Sequence, residues 1–275
     1  MYNSFMWGAP SAARNRILRS YEPIQPFLLM ELSRHFAIDT FIDVGANIGT
    51  YSLFLSRLQG VGAIHAFEPN GKSFAELGRN VLLNGLARKV LAHRLAASSA
   101  PGEAVFRVVG DYSGANGIKA TSIHPAGAAA ESVVDCVTLD SMIDAFGERI
   151  GLKVDVEGHE VEVLRGARKI LTTRKTLLQI ETYQSEGDDV AGFLGDAGYH
   201  KITQVGPDHY YTNMTELPTD AELVGMFEAA ARAAIAANLE PDDATARIDL
   251  ASGVALEFNG AAARFLRTVK RRLRG

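Results

Sequence analysis

The sequence is poor in cysteine, has no long apolar run and carries no excess of positive charge, and each shortage removes a class of protein. Its 275 residues hold one cysteine, Cys136, so neither an internal disulfide nor a cysteine metal cluster can form. Cys136 lies in a β-branched run, 132–138, that suits a buried thiol. A nucleophilic thiolate would need cationic neighbours that the run does not supply. Charges interrupt every apolar stretch well short of the roughly 20 residues a bilayer crossing needs. Residues 1–20 also lack the continuous apolar core of a secretory signal. A cytoplasmic location is therefore expected. The net charge of −4 gives no general attraction to nucleic acid, and there is no internal repeat.

What remains is a globular chain whose segments alternate in type. Apolar residues at helical spacing over 21–36 lead into Phe41-Ile42-Asp43-Val44, a short apolar run that predicts a buried strand. A helix over 52–57, a strand over 63–67, a helix over 72–84 closed by Asn84-Gly85 and a strand over 90–96 follow. This β-α-β-α-β order predicts an open α/β fold with a parallel, doubly wound sheet. Pro101-Gly102 turns the chain into a hairpin strand over 103–109. Residues 110–130 read as a long loop carrying Asp111, Tyr112, Asn116, Lys119 and His124, either a substrate-facing segment or plain surface. Strands over 132–138, 152–156, 177–181, 199–205 and 209–212 are predicted, with helices over 139–146, 161–171 and 191–196. Seven strands with a terminal hairpin fit one open sheet.

After Pro218, Thr219-Asp220-Ala221-Glu222 has capping-box spacing and starts an alanine-rich helix reaching about residue 239. Glu240-Pro241-Asp242-Asp243 breaks it. A last helix over 261–274 sets Phe265, Leu266, Val269 and Leu273 against a basic face that includes Arg264, Arg267, Lys270 and Arg271. Three parts are expected: an N-terminal helical segment over 1–39, a core over 40–214 and a helical C-terminal extension over 215–275 packed on that core. The basic helix either packs on the sheet with solvated arginines or lies on an anionic membrane or lipid-linked glycan as a peripheral contact.

In an open α/β sheet, ligands sit at the carboxyl ends of the strands where the connections diverge. The run Asp43-Val44-Gly45-Ala46-Asn47-Ile48-Gly49-Thr50 lies at such an end, and Gly45 and Gly49 permit a sharp turn and close backbone approach. A nicotinamide dinucleotide would call for G-x-G-x-x-G. Here only two glycines are present, and Asp43 would repel a pyrophosphate while suiting an ammonium and a sulfonium. That preference points to S-adenosyl-L-methionine. Glu68, about 20 residues on at the next strand end, is placed to accept hydrogen bonds from ribose hydroxyls. Pro69 or Asn70 would flank the adenine on one side and Ala96 to Ser98 on the other.

Together with these runs, Leu152-Lys153-Val154-Asp155-Val156-Glu157-Gly158-His159-Glu160 resembles the FkbM family of methyltransferases over residues 40–181. The resemblance implies a class I, Rossmann-like, seven-stranded and mostly parallel sheet with helices on both faces. It also implies methylation of a hydroxyl on a sugar or a polyketide-type product. By position, Asp43, Gly45, Asn47, Gly49 and Glu68 would hold the cofactor, with Asp155 beside its methionine end. Residues beyond 215 look unlike the usual family core.

Alcohols are poor nucleophiles unless their proton is removed as the new bond forms. His159, at a helix N-terminus beyond a strand end, is the candidate base, since the dipole disfavours imidazolium. Capping the helix is the alternative role. Asp155 and Glu157, two apart on an extended segment, should face opposite sides. Asp155 would then face the cofactor, and Glu157 would hold the acceptor, orient His159 or bind a helix N-terminus. Glu181 at the next strand end could complete a hard-cation site with Asp155. A structural hydrogen bond is preferred there, and no metal is expected. A nucleic-acid amino-methylase would carry Asn/Asp-Pro-Pro-aromatic where this chain has Asp155-Val156-Glu157-Gly158. The alternatives to a saccharide O-methyltransferase are a polyketide-type acceptor and a non-catalytic S-adenosylmethionine-binding protein. Neither the acceptor nor the oligomeric state is readable.

Overall fold

A computed structural model describes residues 22, 24–108, 116–118, 130–182, 187–236, 246–249 and 255–258. The central sheet is built from β1 (Thr40–Val44), β2 (Ala63–Phe67), β3 (Val90–His93), β8 (Arg149–Val154), β9 (Lys175–Glu181), β10 (His200–Val205) and β11 (Asp208–Thr212). Its seven strands run in the order β10-β11-β9-β8-β1-β2-β3. The five from β9 to β3 are parallel, and β10 and β11 close the other edge as an antiparallel hairpin. The order reverses between β1 and β8, so the connections leaving these strands diverge and open a crevice at their carboxyl ends.

Side-chain alternation gives the sheet two packed faces. Phe41 of β1 points to one core with α1 (Gln25–His35), α2 (Thr50–Leu55) and α7 (Asp220–Ala236), while Ile42 and Val44 point to the other. The second core is covered by α4 (Glu160–Gly166), α5 (Arg168–Thr173) and α6 (Gly187–Asp196). Each fully buried Phe or Leu contributes roughly 1.5–3 kcal/mol. On the first face β8 presents Gly151 because the Phe41 ring lies where a side chain would be, 3.0 Å from a Cβ built there. The next residue on that face is Lys153.

The structure departs from the pattern read along the chain in several places. The run 90–96 divides, because β3 stops at His93 and β4 (Ala96–Ala97) leaves for a second sheet. That sheet, β4-β7-β5-β6, also takes β5 (Gly102–Val108), β6 (Gly117–Ile118) and β7 (Ala130–Val137). Two residues of the expected 110–130 loop thus form a strand beside Phe106 and Arg107. Residues 110–115 and 119–129 lie outside the described residues. The segment 139–146 is a tighter 3₁₀ turn, Leu139–Ala145. The single helix expected over 161–171 is two, broken at Ala167, with Gly166 packed so closely that a Cβ would stand 1.9 Å from the Ser98 carbonyl oxygen. Cys136 is half-buried rather than buried, and burial and then Asp135 push its thiol up, away from a thiolate.

The capping box at Thr219 is formed, with the Thr219 N–H donating to Glu222 at 2.8 Å and the Glu222 N–H to Thr219 Oγ1 at 3.3 Å. The α7 helix then packs on α1 through Leu223, Phe227 and Ala230. Beyond it the extension is not all helical, since β12 (Ala246–Asp249) pairs antiparallel with β13 (Ala255–Phe258). The sequence alternation Arg247-Ile248-Asp249 is of the kind that suits a strand. The basic helix expected over 261–274 lies outside the described residues.

Candidate active site

The chain leaves β1 through a left-handed turn. Gly45 has φ +80, and a Cβ there would fall 1.7 Å from the Asp155 carbonyl oxygen, so no other residue fits without moving β8. The N–H groups of Gly45 and Ala46 both donate to the Phe67 carbonyl at 3.0 Å, and Asp155 N–H donates to Val44 at 3.1 Å. Three strand ends are thereby locked together. Asp43 Oδ2 accepts from Ser52 N–H at 3.0 Å and Ser52 Oγ at 2.7 Å. Its other oxygen is buried without a hydrogen bond among the described residues, as is Asn47 Oδ1. Burial pushes the Asp43 carboxyl up, against the pull of Lys153 and Ser52. Gly49, at φ +89, caps α2, and a Cβ on it would strike Leu77 at 2.4 Å. It shapes the turn from behind rather than forming the cavity wall.

Glu68 is clamped. Asn47 N–H donates to its Oε2 at 2.8 Å and Asn70 N–H to its Oε1 at 2.7 Å. Burial raises this carboxyl to about 7, the two N–H groups opposing. Asn70 itself caps α3 (Gly71–Leu83), accepting from Lys72 N–H at 2.9 Å and Ser73 N–H at 3.4 Å. Its side chain serves the helix and not the cavity, unlike Pro69, which forms part of the wall. The cavity also has apolar lining from Leu95 and, on the second sheet, Ala96, Phe106 and Ile118.

The same cavity is lined by Tyr51, Lys153, Asp155, Glu157 and His159. Asp155 and Glu157 line the same cavity rather than opposite sides. The reason is that β8 ends at Val154, and Glu157 (φ +58) and Gly158 (φ +105) turn the chain back. Glu160 holds that turn, its carboxylate accepting from Val156 N–H at 3.2 Å and Gly158 N–H at 3.1 Å. His159 occupies the cap position of α4 without a side-chain capping bond. Its Nε2 instead lies 2.9 Å from Ser98 Oγ. Burial lowers its pKa, with Glu162 opposing, so it is neutral near pH 7 for a reason other than the dipole of a seven-residue helix.

A Methyltransferase FkbM domain profile matches residues 43–201, more than half of the chain. The chain belongs to the FkbM methyltransferase family. It is similar to the hexuronic acid methyltransferase AglP of Haloferax volcanii, at 31% identity over 199 residues, 71% of this chain and 77% of that protein. It is also similar to the methyltransferase sdnD of Sordaria araneosa, at 28% identity over 58% of this chain and 72% of the relative. A crystal structure of an FkbM methyltransferase from Methylobacillus flagellatus KT aligns with a TM-score of 0.47 at 19% identity, over 64% of this chain and 44% of that one.

Reading the sequence of this FkbM methyltransferase assigned no role to Lys153, Glu22 or Tyr51, which the fold brings together. Lys153 Nζ is 2.7 Å from Asp155 Oδ2 and 4.5 Å above the Tyr51 ring centroid. The Tyr51 hydroxyl donates to Glu22 and receives Gln179 Nε2 at 2.9 Å, and Gln179 also reaches Asp208 at 2.7 Å. Glu22, Asp155 and Glu181 bring carboxylate oxygens within 4.8 Å of one another. Asp155 hydrogen-bonds Glu181, and that bond together with the Lys153 ammonium balances much of the negative charge. One signal was available: a lysine inside an otherwise apolar strand, Gly151-Leu152-Lys153-Val154, demands a buried partner.

Proposed function

We propose that this methyltransferase uses S-adenosyl-L-methionine to methylate a hydroxyl of a saccharide. The observation that carries the cofactor reading is the fit of one cavity's walls to three chemically different pieces. Asp43 Oδ1 and Asn47 Oδ1 are acceptors without hydrogen bonds among the described residues beside a glycine turn, suited to an ammonium. Glu68 is a fixed acceptor for ribose hydroxyls. Pro69, Ala96, Phe106 and Ile118 make a slot for a flat aromatic base. Bound there, S-adenosyl-L-methionine would supply an electrophilic methyl on a sulfonium. The chain's own residues hold that end with Asp155 and exclude water with Phe106 and Ile118.

The acceptor's proton passes to a group lining the cavity, where His159 and Asp155 are the candidates, with Glu157 to orient the hydroxyl. The saccharide reading is supported by AglP, whose own acceptor is a hexuronic acid. Among the described residues no helix is long and apolar enough to cross a membrane. A cytoplasmic site of action, with peripheral contact through residues 261–274, belongs to the same reading. Liposome flotation of the full chain against one ending at 259 tests that contact.

The direct test is transfer of labelled methyl to a panel of neutral, amino and uronic sugars, with polyketide-type alcohols alongside. Transfer to a saccharide, lost in Asp155→Ala, is expected. Transfer to the polyketide-type alcohols alone, or tight cofactor binding with no transfer to any acceptor, would overturn the assignment.

A further inference from the structure

Lys153 has no part in the roles above, yet its placement is costly. It stands in the middle of the sheet, in register with Asp43 of β1 on one side and Gln179 of β9 on the other. Its side chain is 3% exposed. A hydrophobic residue of similar length would avoid the desolvation of a buried ammonium and would often be the more stable choice. The long stem does not carry the charge out to solvent. It carries it into the cavity wall, over the Tyr51 ring and onto one oxygen of Asp155.

The charges that face Asp155 come from every element around it. They are Lys153 on β8, Asp43 on β1, Glu68 beyond the end of β2, Glu22 ahead of α1, Glu181 at the end of β9 and Asp208 on β11, with Tyr51 on α2 bonded to Glu22. Burial disfavours the charged form of Lys153. Asp155, Glu22, Asp43 and Asp208 together outweigh burial and hold it on. Two carboxyl groups in hydrogen-bond contact, as Asp155 and Glu181 are, need one proton between them. Of the two carboxyls, Asp155 is the one that the ammonium meets as an ion pair, at 2.7 Å, which breaks the symmetry of the pair.

We propose that Lys153 is a positioning residue for methyl transfer: its buried ammonium fixes Asp155 as the anionic carboxylate on the cavity wall and leaves the shared proton on Glu181. The proposal rests on the methyl-transfer reading of the site. Burial pushes Asp155 up, but Lys153 and the Glu181 hydrogen bond hold it below the usual carboxylate range, while burial and Asp155 push Glu181 up to about 10. Asp155 so held places one negative charge beside the cationic end of the cofactor and a ready acceptor beside the substrate hydroxyl. Glu181 stays neutral and keeps Asp155 in its rotamer.

The test compares binding of S-adenosyl-L-methionine and S-adenosylhomocysteine by calorimetry between pH 6 and pH 9. The two share every ionisable group and differ in the sulfonium charge, so their affinity ratio reports the charge at that end of the site. The ratio in the unmutated chain is the baseline, since Glu22 and Glu68, raised to about 8 and about 7, also change charge in this range. In Lys153→Met, Asp155 takes up a proton within this range, and from pH 9 to pH 6 the ratio falls about tenfold further than the baseline does, the change that a one-unit displacement produces. Lys153→Arg, which keeps the cation, restores the baseline. A Lys153→Met ratio that follows the baseline, or an equal loss of both ligands at every pH, overturns the proposal. Should Lys153→Met fail to fold, carboxyl-carbon NMR of the unmutated chain decides the matter. Asp155 ionised and Glu181 protonated at pH 7 is expected, and the reverse, or both ionised, overturns it. Absence of binding for either compound in the unmutated chain would sink the cofactor reading itself, and the NMR assignment separates that failure from this one.

Discussion

Two residues at the first two strand ends show how little freedom the site has. Gly45 combines a left-handed backbone with a carbonyl 1.7 Å from where a Cβ would lie. Gly45→Ala is expected to cost at least about 1–3 kcal/mol in urea unfolding through backbone strain alone, and to weaken cofactor binding by displacing β8. Glu68 is different, because its two clamping bonds come from backbone groups that other residues would leave in place. Glu68→Ala should lower S-adenosyl-L-methionine affinity by about 10- to 100-fold, the worth of charge-assisted hydrogen bonds of roughly 1.5–3 kcal/mol. Calorimetry that finds affinity unchanged would remove Glu68 from the ribose position. Asp43, Glu68 and Asp155 were legible in the sequence because each stands beside a glycine turn or closes an apolar run. Glu22 and Tyr51 were not, since their partner Lys153 is reached only through the pairing of strands more than a hundred residues apart.

At the level of elements, periodicity located the parallel strands and the α7 cap within a few residues, because those segments carry strong apolar patterns and defined stop signals. It failed where packing overrode pattern. The run 90–96 is continuous in composition, yet its end is drawn off by backbone pairing with Cys136 and Val137. Phe106, 5% exposed, is the centre of the small sheet, packed with Ala96, Ile118 and Val134. Phe106→Ala is expected to remove about 3–5 kcal/mol. Hydrogen exchange should place that loss in β5 and β7, with weaker cofactor binding in step. Protection lost evenly across the seven-stranded sheet would refute the view that the small sheet opens as a separate layer.

For the whole molecule, the buried carboxylates set the response to pH. Burial and then Asp208 raise Glu22 to about 8, and burial and Asp155 raise Glu181 to about 10. In the unfolded chain both ionise near 4.5. The folded state therefore holds more protons above that value, and unfolding free energy falls as pH rises towards 8 and beyond. His65 and His209, lowered mainly by burial to about 4, act with the opposite sign, but only below the ordinary histidine value of 6.5. Lys153, raised, keeps its contribution throughout this range. Without ligand, the melting temperature should be nearly level from about pH 4.5 to 6.5, where the two histidines offset the two glutamates, and decline towards pH 9, and Glu181→Gln should flatten the decline. A melting temperature that climbs from pH 6.5 to 9 would contradict the buried placement of these groups. The parallel, doubly wound character of the core and its closing hairpin, β10 with β11, were legible from the sequence. The second sheet and the β12–β13 hairpin were not, because neither has a signal stronger than local alternation.

The pairing of Asp43 with Lys153 also governs how the molecule comes into being. The stretch from β1 to β3 can associate as soon as it leaves the ribosome, since its strands are neighbours in sequence. The β8 strand, by contrast, must close a loop spanning the whole small sheet before its first contact is rewarded, which makes it a slow step. The glycine turn and Glu68 are thus assembled early, and the carboxylates that would face the acceptor arrive late. A chain caught between the two stages would have half of its catalytic cavity built and the apolar edge of β1 bare, the state most in need of a chaperone.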